Sequence, residues 1–260
     1  MDIGASMPQF TLPILLILFA GGFMAGFVDS IAGGGGIISL PILLSVGLPP
    51  HYALGTNKFQ SSFGSLMASI NYYRGGLVQA KKLIPGIFFT AIGAAFGTLA
   101  IQQLSQQLLQ YLIPILLVIV FVIVLVSKNL GINDQVEKIK PNLFFLIFGL
   151  SLGFYDGFFG PGTGNFWMLA FVFLLGFNMK KATAHTKWVN FTSNIVALIF
   201  FAIGGKIMVI PGLAMAAGQL SGAFLGSKLV LRSGVKFIRA FFLLVTAATI
   251  LRLIYTTFIQ

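Results

Sequence analysis

The chain alternates long apolar runs with short polar interruptions, and the spacing of the interruptions predicts its elements. Residues 10–31 read as a first membrane helix, closed by the glycines at 33–36. A second apolar stretch, 37–48, is only about a dozen residues, contains Pro41 and stops at Pro49 and Pro50. It is too short to cross a bilayer comfortably and is expected as a half-helix or re-entrant segment. Thr56, Asn57 and Lys58 then open a segment at 59–73 whose serines and Asn71 suit a face turned to protein or water, not lipid. Residues 83–101 carry the small pair Gly93 and Gly97, and 111–126 is rich in Ile, Val and Leu. After a polar connection at 128–141 the order returns as 142–159, a glycine break, a short run at 166–177, a polar-studded helix at 187–203, a segment at 211–225 with Gly222 and Gly226, and a last run at 237–255.

The return extends to individual residues. GFVDSIAGGGG from Gly26 is answered by GFYDGFFGPGTG from Gly153, so that Asp156 answers Asp29, Gly160 and Gly162 answer Gly33 and Gly35, and Lys187 answers Lys58. The offset is 127 residues at the aspartates and 129 at the lysines, and Gly204 and Gly205 match Gly75 and Gly76. An unusual motif recurring at a near-constant offset predicts two similar halves, a feature of many transporter folds. The first repeat is expected at 1–127, a cytoplasmic linker at 128–141 and the second repeat at 142–260.

Composition places this pattern in lipid. The 260 residues are 57% hydrophobic and 8% charged, far from the roughly one-quarter charged composition of soluble domains. Several charge-free runs are long enough to cross the bilayer as helices, whereas barrel strands would alternate in segments of about ten. The expected class is therefore an all-α polytopic membrane protein with about eight to ten membrane segments, short re-entrant or broken ones included. The net charge of +11 sits mostly between apolar runs, where basic residues orient helices, and carries no case for nucleic acid. In the first half the basic turn follows the third segment and in the second it follows the fourth, which fits halves of opposite direction. With no cysteine there is no disulfide and no thiolate chemistry.

The chemistry concentrates at the two glycine breaks. A glycine run before a helix presents backbone N–H groups where the helix dipole also favours negative charge, and inside a membrane that is a candidate anion site. One copy offers Gly33, Gly34, Gly35 and Gly36, with Thr56, Asn57, Lys58 and Ser61 beyond; the other offers Gly160, Gly162, Thr163 and Gly164, with His185, Thr186, Lys187, Asn190 and Asn194. The plainer reading has the glycines permitting close helix crossing and the lysines snorkelling to headgroups from segment starts. Asp29 and Asp156 lie toward the ends of apolar helices, where a charge is costly; they either cap the glycine turns or carry protons, since a carboxylate beside an anion pocket repels its ligand unless protonated. His51 and His185 have no partners at metal spacing, GGGGIIS lacks the GK[ST] ending of a nucleotide loop, and no catalytic nucleophile set is present, so no metal, cofactor or enzymatic activity is expected.

DSIAGGGG, ALGTNK, FYDGFFGP, GFNMKKATAHTK, NFTSN and GGK together resemble the TauE/SafE family of sulfite-exporter-like membrane permeases, in its YfcA-like subgroup, over essentially the whole chain. That resemblance implies a multi-pass carrier of the bacterial inner membrane moving a small anion such as sulfite or an organosulfur compound. Family members are described with about eight spanning helices, which would make 37–48 and 166–177 re-entrant. The residues themselves accommodate three readings: a secondary carrier with alternating access, with or without proton coupling, a passive anion channel, or a membrane scaffold without cargo. The expected partners are a small anionic substrate and the lipid bilayer, with self-association left open.

Overall fold

The computed structural model describes residues 10–126 and 133–234, together with Phe237 and Ala240. Among these residues every regular element is helical: α1 (Leu12–Ala32), α2 (Gly35–Ser45), α3 (Pro50–Arg74), α4 (Ala80–Gln102) and α5 (Gln106–Val126) come first. Next is a composite helix made of α6 (Pro141–Phe144), a π-helical stretch Phe145–Gly149 and α7 (Leu150–Phe158), followed by α8 (Thr163–Leu174), α9 (Met179–Ile203) and α10 (Val209–Arg232). Among the described residues five helices are long and apolar enough to cross a membrane: α1, α4, the composite helix, α9 and α10. α2 and α8 are shorter apolar helices, and the last run expected at 237–255 lies almost wholly outside the described residues.

Two helix starts differ from the sequence expectation, with a consequence for the site. Segments opening at 59 and 187 were expected, but α3 begins at Pro50 and α9 at Met179. Pro50 occupies a first-turn position where its missing N–H costs nothing, and Asn178 caps α9 by accepting the Lys181 amide at 3.0 Å. Lys58 and Lys187 each therefore stand two turns inside a helix, about 12 Å from its start, and not at a membrane edge.

Small residues bring the helices together. On α1, Gly22 and Gly26 face the backbone of Met215 and Gln219 on α10, while a Cβ built on Gly222 would lie 2.0 Å from the Phe23 carbonyl oxygen. The same arrangement joins α4 to the composite helix: a Cβ on Gly97 would lie 2.0 Å from the Phe154 oxygen, and one on Gly157 2.1 Å from the Ala94 oxygen. Such backbone contact supplies the van der Waals attraction that holds helices together in lipid. α3 packs between α10 and α9, and α9 between α3 and α4, so these two helices form the centre. Polarity is distributed to match: Leu12, Leu16, Phe88, Phe96, Ile203 and Leu213 are exposed, whereas the polar side chains of Thr56, Lys58, Lys187, Ser193 and Gln219 are buried. Within the linker, the amides of Gln135 and Lys138 bond to the oxygens of Gly176 and Leu174 at 2.7 and 2.8 Å, tying it to the end of α8.

Candidate functional site

Each break is built from glycines in conformations that other residues avoid. Gly33 and Gly34 have φ of +79° and +85°, Gly160 and Gly162 +101° and +83°, and Gly34 and Gly162 stand as the N-caps of α2 and α8. The breaks touch. A Cβ on Gly33 would lie 2.8 Å from the carbonyl carbon of Gly164 and 2.9 Å from the Asn165 nitrogen, and one on Gly36 would lie 3.1 Å from the Pro161 Cα.

Between them lies a polar cavity of about 30 Å³, room for about two water molecules. The first break contributes Asp29, Gly34, Gly35 and Gly36, the second Asp156, Gly160, Gly162, Thr163 and Gly164, and the central helices add Asn57, Lys58 and Ser61 from α3 with Asn190 and Asn194 from α9. In the first turns of α2 and α8, Gly35 donates to Asp29 Oδ1 at 3.3 Å, while Ile37, Thr163 and Asn165 donate to nearby carbonyls. The amides of Gly36 and Gly164 find no partner among the described residues. Asn57 Oδ1 accepts from Ser39 at 2.6 Å and Gln60 at 2.9 Å, which leaves its NH₂ end free for the cavity. The lining therefore offers hydrogen-bond donors at the starts of two helices, the arrangement that receives an anion.

Two ion pairs meet the cavity, Lys58–Asp156 with both members on its wall and Lys187–Asp29 through its aspartate alone, each joining a lysine from one half of the chain to an aspartate from the other. Lys58 Nζ lies 2.6 Å from Asp156 Oδ1, and Lys187 Nζ lies 2.9 Å from Asp29 Oδ2. The lysines are 1% and 0% exposed, so neither snorkels to the headgroups. The first pair is fully engaged: Lys58 also donates to the Asp156 carbonyl and to Asn194 Oδ1 at 3.4 Å, and Ser193 Oγ donates to Asp156 Oδ2. The second is looser. Its 2.9 Å contact falls outside hydrogen-bond angles, so Lys187 Nζ is close to its counter-ion yet has no hydrogen-bond partner.

Some expected site residues lie elsewhere. Gly33 forms the contact with Gly164, Thr56 Oγ1 accepts from the Met208 amide at 3.0 Å at the start of α10, and His185 bonds through Nδ1 to the Lys181 oxygen at 2.8 Å with its ring against Phe177. Thr186 is buried without a hydroxyl partner, and Lys187 stands behind Asp29. Asp29 caps its own turn through Gly35, as one reading of the sequence had it, whereas Asp156 turns to Lys58 and Ser193. Sequence reasoning missed Tyr155, whose hydroxyl donates to the Pro161 oxygen at 2.7 Å and braces the second break. Its counterpart before Asp29 is Val28, so the repeat held no signal for it.

A sequence profile described as "Sulfite exporter TauE/SafE" matches residues 18–253. The chain is 41% identical over 255 residues to a "Probable membrane transporter protein" of Haemophilus influenzae, covering 98% of this chain and 97% of that one. It is 43% identical over 244 residues to the "Probable membrane transporter protein YfcA" of Escherichia coli K12, covering 94% and 91%. A more distant relative, "Probable membrane transporter protein YunE" of Bacillus subtilis, is 24% identical over 243 residues. No solved structure matches the chain.

Proposed function

Because the chain belongs to the TauE/SafE sulfite-exporter family of membrane transporters, we propose that it is a secondary carrier of the bacterial inner membrane that moves a small anion, such as sulfite or a short organosulfonate, through the cavity between its two breaks. The observation that carries this reading is the meeting of two glycine-capped helix starts on one donor-rich cavity, with Lys58 on its wall and Lys187 behind Asp29. An oxyanion there would accept from the amides of Gly36 and Gly164 and from a lysine released by its aspartate. The two carboxylates also permit proton coupling, because a protonated Asp29 or Asp156 frees its lysine for the substrate.

Two related halves, 1–127 and 142–260 with the linker at 128–141, are part of the proposal. The main packing pairs support it: exchanging α1 with the composite helix, α2 with α8, α3 with α9 and α4 with α10 turns α1–α10 into the composite helix with α4, α3–α10 into α9–α4 and α2–α3 into α8–α9, each of which is present. Halves of this kind rocking about a shared site are how alternating access is achieved. A passive channel would need a continuous wet path, and a cavity of about 30 Å³ with two lysines of almost no exposure on or behind its wall favours a closed carrier state instead.

The test is flux in proteoliposomes holding the purified protein, challenged with sulfite, sulfate, thiosulfate and short sulfonates with and without a pH gradient. The carrier reading expects saturable movement of at least one of these anions. Folded protein that neither binds nor moves any of them would end it, and flux that never saturates would favour the channel.

A further inference from the structure

The two ion pairs answer each other in sequence, yet they differ in how well they are satisfied. Within the Lys58–Asp156 pair itself every charged atom is engaged: the lysine reaches three acceptors, and the carboxylate holds both Lys58 and Ser193. Around Lys187 and Asp29 the unsatisfied atoms collect. Lys187 Nζ, Asn190 Oδ1 one turn further along α9, and Asn165 Oδ1 beside Gly33 and Gly34 are all buried without a hydrogen-bond partner. The Asp29 side chain is 15% exposed against 5% for Asp156. A buried polar atom left unpaired costs about 1–3 kcal/mol; of these three, Lys187 Nζ is the donor that an anion would satisfy, while the two amide oxygens call for a donor such as water or a protonated group.

We infer that Asp29 is a resident substitute for the transported anion, and that the anion binds by taking Lys187 from it while Lys58 and Asp156 stay locked as a structural pair. This rests on the carrier reading and names the residues of that site that exchange. Asp29 is on the cavity wall and Lys187 is not, so an anion that reaches this lysine from the cavity has to displace the Asp29 carboxylate. Of the two aspartates Asp29 is the less firmly held, by one 3.3 Å bond from the Gly35 amide and the off-angle contact with Lys187. Leaving Lys187 with two negative charges in a buried site is unfavourable, so the departing carboxylate takes up a proton as the anion arrives. For a singly charged anion, hydrogensulfite or a sulfonate, the site then stays neutral: one lysine cation faces one negative charge before and after.

The groups that face Asp29 allow this. α9 supplies Lys187, while His185 on the same helix is turned to Phe177. α3 supplies Tyr72, whose hydroxyl is committed to the Ser30 carbonyl at 2.5 Å, and Lys58 across the cavity, held by Asp156 of α7. α2 and α8 carry no charged side chain, and on α10 the exposed Lys228 lies over the Phe224 ring at 4.0 Å. Lys187 is the cation that Asp29 can surrender.

The experiment uses the full chain in proteoliposomes with sulfite as the probe, alongside thermal unfolding of the same variants. For one proton per sulfite, a gradient of one pH unit sustains about tenfold accumulation in the wild type. Asp29→Asn is expected to lose that response to the gradient, and Lys187→Met to lose sulfite flux and the thermal shift that sulfite gives the wild type. In unfolding without sulfite, Lys187→Met is expected to lower the Tm by less than half as much as Lys58→Met. Loss of gradient response in Asp156→Asn with Asp29→Asn still responding would overturn the inference. If wild-type protein moves no sulfite, sulfite is removed from the proposed cargo, and the unfolding comparison decides this inference alone: equal losses for Lys58→Met and Lys187→Met refute the asymmetry, and unequal losses in the stated order support it.

Discussion

Breaking the buried Lys58–Asp156 pair from one side gives the sharpest test of how the two halves are held. Lys58→Met leaves the Asp156 carboxylate, 3% exposed as a residue, with only Ser193 as partner. Stranding a buried charge in this way costs about 3–5 kcal/mol. At about 2–4 °C per kcal/mol for a chain of this size, the Tm should fall by roughly 6–20 °C. Asp156→Leu strands Lys58 instead, leaving it the Asp156 backbone carbonyl and a 3.4 Å contact to Asn194, and the expected loss is similar. The double variant removes both charges and packs Met against Leu. Ser193 Oγ then keeps its bonds to the Val189 and Asn190 carbonyls, both at 3.1 Å, and only two neutral acceptors, the residue-156 carbonyl and Asn194 Oδ1, lose the lysine as donor. Replacing a buried pair by apolar groups is often near neutral, and the double variant should recover to within about 2 kcal/mol of wild type. Unfolding in detergent, followed through Trp167 and Trp188, measures the four corners of the cycle. Additive losses, with the double variant as weak as the sum of the singles, would refute the pairing across the cavity.

Three further outcomes follow from the geometry. Gly33→Ala places a methyl within 2.8 Å of Gly164 in addition to the cost of about 1–2 kcal/mol for a left-handed residue, so it should abolish anion flux in proteoliposomes; Gly76→Ala, at φ +71° with open space around it, should cost only the conformational part and leave flux intact. Thr56→Val removes the acceptor for the Met208 amide and should lower stability by about 1–3 kcal/mol in thermal unfolding, with the apparent KM for anion unchanged, because this side chain serves the start of α10 and not the cavity. Gly222→Leu drives a side chain into the Phe23 carbonyl at the crossing of α1 and α10 and should reduce the yield of folded protein on size exclusion, whereas Gly234→Leu, with nothing within reach of its Cβ, should not.

The glycine breaks were legible because four positive-φ positions inside apolar runs have almost no substitute, and their recurrence with Asp and Lys at matching offsets drew both copies out of the sequence. The ion pairing was not legible. Matched positions indicate which residues are counterparts, but not that each lysine reaches over to the aspartate of the other copy. The starts of α3 and α9 were hidden for a different reason: HYALGT and KKATAHT are too polar for a hydropathy pattern, and only the caps at Pro49 and Asn178 reveal that helix has already begun. That shift decides how Lys58 and Lys187 are understood, since a lysine at a helix start reaches water while one two turns inside must find a partner in the protein. His185 was grouped with Lys187 by adjacency along the chain, but two residues along a helix turn a side chain to another face, and its ring packs on Phe177 instead.

In the proposed function the two helix breaks receive an anion between them. Diffraction from crystals soaked in selenite, whose selenium scatters anomalously, tests it most directly. A single strong peak is expected in the cavity between the Gly36 and Gly164 amides, at ion-pair distance from Lys187 Nζ, with Asp29 moved off that lysine. A cavity without selenium at saturating selenite, or a peak held only by surface lysines while both aspartates keep their partners, would contradict it.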